Sequence, residues 1–136
     1  MIPATLEIGD YVLTPEICVE RKSVLDLFSS FNEGRLFNQV DAMLRHYKVP
    51  TLLIEFQPER AFSLQTTGEI SPDILATNII SKMVLLVLHF TDLRILWSRS
   101  SHATAELFKS LKTNNAEVNV EKALVGDQRG TSLWQW

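Results

Sequence analysis

A compact apolar segment, Thr51-Leu52-Leu53-Ile54-Glu55-Phe56, constrains the fold of this chain more than any other feature. It contains no turn residue and is bounded by Pro50 and Pro58. A short apolar run of this kind is typical of a strand that is buried on both faces of a sheet. The segment therefore predicts an α/β fold whose sheet carries helices on both sides.

The residues before this strand predict a β-hairpin followed by a helix. Apolar and polar residues partly alternate over 5–13, turn-forming residues occupy 14–16, and a strand pattern resumes over 17–22. Ser23 and Asp26 then match a capping box, with Ser23 as the N-cap of a short helix. The first part of the sheet is therefore expected to be a hairpin that runs directly into a helix.

The remaining elements alternate between helix and strand. Helical spacing predicts a second helix over 36–47 and another helix over 73–90. Turn-forming residues predict an exposed loop over 57–72, and an apolar run predicts a strand over 93–97. Ser100 or Ser101 is expected to cap a last helix that ends at Lys112. The helix over 73–90 is strongly apolar, but polar residues interrupt the run, so it predicts a buried helix rather than a membrane span.

Composition fits one globular domain rather than two. The chain has 136 residues, of which 46% are hydrophobic and 21% charged, and the sequence after residue 112 lacks any sustained period. We therefore expect a domain over 1–112 and a loosely ordered tail over 113–136. The net charge of −3 means that any contact with nucleic acid must come from a local patch. The single cysteine, Cys18, fits a reducing intracellular compartment.

Charged residues of the hairpin form a candidate catalytic constellation. Glu20 and Lys22 are two residues apart on one strand, so both side chains leave the same face of the sheet, whereas Arg21 points to the other face. Hairpin pairing brings Asp10 of the preceding strand beside Glu20. Two carboxylates and a lysine suit a Mg²⁺ site for phosphodiester hydrolysis, because Mg²⁺ prefers oxygen ligands, polarises the phosphate and lowers the pKa of bound water.

Each of these residues has a role in that hypothesis, but the pattern alone is weak. Lys22 would orient or deprotonate the water, and Arg21 suits a structural ion pair or the grip of a flanking phosphate. Charged residues also alternate on many solvated strands, so Glu-x-Lys after an acid does not by itself specify a nuclease.

A longer motif around these residues favours the nuclease hypothesis over the solvated strand. The order Gly9-Asp10, a spacer, Glu20-Arg21-Lys22, three residues and Asp26 resembles the nuclease motif of the XPF-type family of structure-specific DNA endonucleases. The resemblance covers roughly residues 4–112 and continues through three further stretches: 32–39, 51–56 and 93–108.

This resemblance implies a restriction-endonuclease-like nuclease fold, in which helices flank a central mixed sheet. It implies an endonuclease that depends on Mg²⁺ or Mn²⁺, with Asp10 and Glu20 holding the metal and Glu7 close to it. It also places Asp26, Arg35 and Gln39 in a charged network around the site. The residues alone support a local role for each of two of these residues just as well. Asp26 can be the acid of a capping box, and Arg35 can be a surface residue at the start of a helix.

The family also implies a substrate, a partner and a setting. XPF-like proteins cut branched or splayed DNA at junctions between duplex and single strand, in nucleotide excision and crosslink repair in the nucleus. They act as heterodimers with a non-catalytic partner subunit. No membrane association is expected.

The sequence departs from the family pattern at both ends. The family's first strand and helix, with their acidic motif, and its tandem helix-hairpin-helix domain have no counterpart here, so the first strand of the sheet is expected to be missing. The alternative hypothesis is therefore a catalytically inactive nuclease fold that retains DNA or partner binding.

Overall fold

The computed structural model describes residue 3 and residues 5–57, 76–113, 115, 117–121 and 123–124. The predicted loop over 57–72, apart from its first residue, and most of the predicted tail over 113–136 lie outside the described residues. The elements follow the predicted alternation: β1 Tyr11–Val12, β2 Ile17–Ser23, α1 Val24–Asn32, α2 Arg35–His46, β3 Val49–Glu55, α3 Ala76–His89, β4 Arg94–Ser98 and α4 Ser101–Lys112.

The four strands form one mixed sheet in the order β1-β2-β3-β4. β1 pairs with β2 in the antiparallel sense, whereas β2–β3 and β3–β4 are parallel. β3 therefore lies inside the sheet, and Leu52, Leu53 and Ile54 are fully buried, which confirms the central strand predicted from the apolar segment. The α/β fold with a mixed sheet and flanking helices is likewise confirmed.

Both faces of the sheet are covered, as the burial of β3 predicts. On one face Cys18, Leu52 and Ile54 pack against α1, α2 and α3. On the other face Val19 and Leu53 pack against Phe108 of α4. Adjacent residues of each strand serve opposite faces because side chains alternate along a strand. Each fully buried aliphatic side chain of this kind contributes about 1.5–3 kcal/mol relative to exposure.

The first strand is much shorter than the alternation over 5–13 predicts. Only Tyr11 and Val12 form β1, paired with Val19 and Cys18 of β2. Gly9 has a positive φ of 71°, which turns the chain out of the extended conformation just before Asp10. Asp10 therefore lies immediately before β1 rather than in the middle of a long strand.

Helix α3 is buried on one side only, so its prediction as a buried helix needs correction. Ile79, Met83 and Leu86 face the core, but four apolar side chains of the same helix are exposed: Ile80, Val84, Leu85 and Leu88. An apolar run without a polar stripe does not show which sides of a helix are covered. Among the described residues, no helix has the length and hydropathy that a membrane crossing requires.

Candidate active site

Asp10 is held against β2 by two main-chain contacts. Its own N–H donates to the carbonyl oxygen of Val19 at 2.8 Å. Its Oδ2 accepts a hydrogen bond from the main-chain N–H of Arg21, also at 2.8 Å. The Asp10 carboxylate thus accepts a β2 N–H that a neighbouring strand carbonyl would otherwise accept. This contact uses one of the two carboxylate oxygens of Asp10. Asp10 is exposed, so the carboxylate also faces solvent.

Glu20 and Lys22 lie together on the face of the sheet that α1 and α2 cover, as their spacing predicts. Lys22 Nζ is 3.2 Å from Glu20 Oε1, and both residues are buried. In the parallel register, Glu20 is opposite Leu52 and Lys22 is opposite Ile54 of β3. A buried carboxylate and a buried ammonium therefore sit at one end of an otherwise apolar surface.

The electrostatic setting of Glu20 opposes its ionisation. Burial raises the pKa of the Glu20 carboxyl, and the nearby carboxylate of Asp10 raises it further. The ammonium of Lys22 acts in the opposite direction. A positive charge placed beside Glu20 would offset both causes that raise its pKa.

Arg21 points to the opposite face and forms the ion pair expected of a supporting residue. Its Nη2 is 2.6 Å from Oε1 of Glu55, the last residue of β3. The other carboxylate oxygen of Glu55 accepts a hydrogen bond from the Thr104 hydroxyl at 2.6 Å. The bond from Arg21 is the main cause that holds the pKa of Glu55 below its usual value.

Glu55 and Thr104 were not predicted as partners of Arg21. One signal was available: a carboxylate at the end of an apolar strand is seldom buried without a cationic partner. The sequence offered no sign that the partners were Arg21 and Thr104, because 34 and 49 residues separate them from Glu55.

Asp26 and Arg35 make local contacts. The N–H of Asp26 donates to the Ser23 hydroxyl at 3.2 Å, which confirms Ser23 as the N-cap of α1. Arg35 is exposed, and its Nε lies 2.6 Å from Oε2 of Glu33 in a surface ion pair. These contacts agree with the local interpretation of both residues, and their place in a network around the site stays a prediction.

Gln39 and Glu7 differ in burial. Gln39 lies on α2, and its Oε1 is buried without a hydrogen-bond partner, which leaves an acceptor ready for a donor. Glu7 is exposed. In the part of the chain that the structure describes, no three His, Cys, Asp or Glu side chains are grouped to hold a metal. The roles of Asp10 and Glu20 as metal ligands, and of Glu7 near a metal, stay predictions.

Comparison with known proteins gives a consistent result. The sequence model of the ERCC4 domain matches residues 1–111. The DNA repair endonuclease UVH1 of Arabidopsis thaliana is 58% identical over 91% of this chain, and the DNA repair endonuclease XPF of Mus musculus is 52% identical over 90% of it. The chain spans 13% of the length of each of these relatives.

A solved structure shares the fold. XPF from Aeropyrum pernix superposes with a TM-score of 0.66 at 27% identity, covering 82% of this chain and 51% of that chain. The same protein in complex with DNA gives a TM-score of 0.63 at 26% identity, covering 82% of this chain and 50% of that chain.

Proposed function

This chain belongs to the ERCC4-domain family, which includes the XPF-type DNA repair endonucleases, and from that membership we propose that it is the cutting module of a structure-specific DNA endonuclease. The observation that carries the proposal is the arrangement of Asp10, Glu20 and Lys22. Hydrolysis of a phosphodiester needs an electrostatic environment that accepts negative charge and a group that orients water. The two carboxylates would hold a cation that accepts this charge, and the buried ammonium of Lys22 would orient the water.

Asp10 and Glu20 are the residues that would hold Mg²⁺ or Mn²⁺, with Glu7 assisting. Carboxylate oxygens are the ligands that these hard cations prefer. The raised pKa of Glu20 fits this role, because burial and the carboxylate of Asp10 both oppose its ionisation and a bound cation would offset them. When bound, such a cation supplies Lewis-acid stabilisation of the phosphate and a more acidic water.

Lys22 positions the attacking water in this proposal. Its ammonium has three N–H donors, and the contact with Glu20 Oε1 accounts for one of them. The remaining donors are available to water or to a phosphate oxygen. Gln39 offers its buried Oε1 as an acceptor, whereas Asp26 and Arg35 would contribute charge at the rim of the site.

We infer that the substrate is DNA with a junction between duplex and single strand. The Aeropyrum pernix relative has been solved in complex with DNA, and the relatives from Arabidopsis and mouse are named as DNA repair endonucleases. We propose that it acts in nucleotide excision and crosslink repair in the nucleus, the setting that the family resemblance implies. Because the net charge is −3, the contact of this chain with DNA would rest on a local patch rather than on its overall field.

Replacing Glu20 by Gln is expected to weaken Mn²⁺ binding at least about tenfold, because the amide keeps the size of the side chain but removes an anionic ligand. Titration calorimetry of the wild type and Glu20→Gln with MnCl₂ measures this effect. Glu16→Gln is the matched control, because Glu16 is exposed and pairs with Lys48 at the surface. Equal Mn²⁺ affinity of the wild type and Glu20→Gln would contradict the metal site. A wild type that binds DNA but no Mn²⁺ would favour the inactive nuclease fold.

The exposed side of α3 supports the partner part of the proposal. Leu85 and Leu88 are 60% and 69% exposed, and Ile80 and Val84 extend the same apolar surface. Apolar patches of this kind mark surfaces that another chain covers. We assign this surface to the non-catalytic subunit of an XPF-type heterodimer.

Replacing Leu85 and Leu88 by Asn is expected to weaken association with that subunit roughly tenfold or more, because large apolar side chains at the centre of an interface carry much of the binding free energy. The fold should be little affected, since both side chains are exposed. The Kd for the purified partner subunit checks the effect, and Leu25→Asn on α1 is the control. An unchanged Kd in the double variant would remove α3 from the interface.

A further inference from the structure

A row of buried polar side chains crosses the face of the sheet that α4 covers. Glu55, Thr104 and Ser98 are 7%, 6% and 1% exposed, and they lie beside the apolar cluster formed by Val19, Leu53 and Phe108. Burying polar groups in such a place is costly unless they are hydrogen-bonded. Apolar side chains of similar volume would fill this space at least as well, so packing alone does not explain why polar residues occupy it.

Hydrogen bonds connect the polar side chains of this row to one another. Glu55 accepts from Arg21 through Oε1 and from the Thr104 hydroxyl through Oε2, each at 2.6 Å. Thr104 Oγ1 is also 2.8 Å from the Ser98 hydroxyl. Glu55 thereby joins the end of β2 to the end of β4 and the first turn of α4. The sheet register agrees, because Ser23, Glu55 and Ser98 stand in line across the three parallel strands.

Arg21 connects this row of polar side chains to the candidate active site. Its guanidinium is fixed by Glu55, while its main-chain N–H donates to Asp10 Oδ2 at 2.8 Å. Arg21 also stands between Glu20 and Lys22, whose side chains leave the opposite face. A rotation of the β2 backbone at Arg21 therefore changes the direction of both neighbours and breaks the contact with Asp10.

We propose that Glu55 and Thr104 are positioning residues for the Asp10–Glu20–Lys22 site. Thr104 fixes the Glu55 carboxylate, Glu55 fixes the Arg21 side chain, and the anchored Arg21 backbone holds the Asp10 carboxylate. Neither residue contacts the reacting groups. The proposal rests on the proposed function for its consequence in metal binding, but not for its structural step at Arg21.

Two pairs of variants separate positioning from simple stabilisation of the core. Thr104→Val keeps the shape of the side chain and removes the hydroxyl, whereas Thr104→Ser keeps the hydroxyl. Glu55→Gln removes the charge that holds Arg21, and Glu106→Gln makes the same change at an exposed residue of α4 that pairs with Lys109. A purely structural role would lower the melting temperature without a specific effect at Arg21 or on metal affinity.

The experiment combines amide hydrogen exchange by NMR with MnCl₂ calorimetry on the full chain. In Thr104→Val and Glu55→Gln, we expect exchange of the Arg21 amide to accelerate about tenfold relative to neighbouring β2 amides, because the Asp10 contact opens more often. Mn²⁺ affinity should fall about tenfold, as for other residues that orient metal ligands. Thr104→Ser and Glu106→Gln should behave as the wild type in both measurements.

Unchanged Arg21 exchange in both Thr104→Val and Glu55→Gln would overturn the proposal. Faster exchange with unchanged Mn²⁺ affinity would overturn it as well, because Arg21 would then be loosened without effect on the site. If the wild type binds no Mn²⁺, the proposed function fails, and Arg21 exchange alone decides whether Glu55 and Thr104 hold Asp10. If Glu55→Gln fails to fold, the comparison of Thr104→Val with Thr104→Ser decides the same question.

Discussion

Replacing Asp10 by Asn is expected to slow DNA cutting by at least about 10²-fold, the scale on which an enzyme loses rate when one pre-arranged electrostatic group is removed. The fold should persist, because the Asn side-chain oxygen can still accept the hydrogen bond that Arg21 N–H donates to Asp10 Oδ2. Only the negative charge is lost. Single-turnover cleavage of a splayed duplex by the chain assembled with its partner subunit, in the presence of Mg²⁺, measures the rate.

Asp41→Asn is the control for this experiment. Asp41 lies on α2, and its carboxylate pairs with Arg45 at 2.8 Å in a surface ion pair. Such pairs contribute little to stability, roughly 0.2–1 kcal/mol, so this variant should cut at the wild-type rate. Cutting by Asp10→Asn at the wild-type rate would exclude Asp10 from catalysis. If the wild-type assembly binds the splayed duplex but neither protein cuts it, the inactive nuclease fold becomes the better description.

Replacing Gly9 by Ala is expected to lower the free energy of unfolding by about 3 kcal/mol, from backbone strain at positive φ together with overpacking. Gly9 has a φ of 71°, and a Cβ there would overlap the Sγ of the buried Cys18. The residue next in the chain is Asp10, so the same shift would displace the carboxylate from Arg21. Urea denaturation followed by circular dichroism measures the change.

Gly34 provides an internal control for the two causes. Its φ is also 71°, but a Cβ at that position would have no neighbour within 4 Å. Gly34→Ala should therefore cost only the backbone strain, about 1 kcal/mol. Adding Cys18→Ala to Gly9→Ala should recover part of the loss, because it removes the overlapping sulfur. Equal costs for the two glycine variants would show that the contact with Cys18 is unimportant.

Much of the fold follows from local patterns in the sequence. The apolar segment that becomes β3 and the spacing of α2 were sufficient to predict both elements. Ser23 was correctly expected as an N-cap, and Ser100 was one of the two serines expected to cap the last helix; each hydroxyl accepts from a main-chain N–H three residues ahead. Such features depend on residues a few positions apart, which a single sequence displays directly.

Features that depend on distant residues could not be obtained in this way. The length of β1 was overestimated, because alternation does not reveal the positive φ of Gly9. The burial of α3 was overestimated, because its apolar residues do not show which side another element covers. The conformation of Gly9 is a local feature that alternation hides, whereas the cover of α3 depends on three-dimensional packing.

The candidate site shows the same division. Alternation along β2 correctly placed Glu20 and Lys22 on one face and Arg21 on the other. A structural ion pair was one of the two roles expected for Arg21, the other being the grip of a flanking phosphate, but its partner Glu55 was not identified. The contact of Asp10 with the main chain of Arg21 was not foreseen either, because hairpin pairing alone predicts side-chain proximity rather than this hydrogen bond.

The parallel register of β2, β3 and β4 sets the order in which this site can form during folding. The hairpin that brings Asp10 to β2 closes within a short stretch of chain and can form early. Parallel pairing requires long crossover connections, and contacts of high sequence separation form slowly. Thr104 lies 49 residues after Glu55, so a nascent chain that has not yet added α4 contains Arg21 and Glu55 but lacks the hydroxyl that fixes the Glu55 carboxylate.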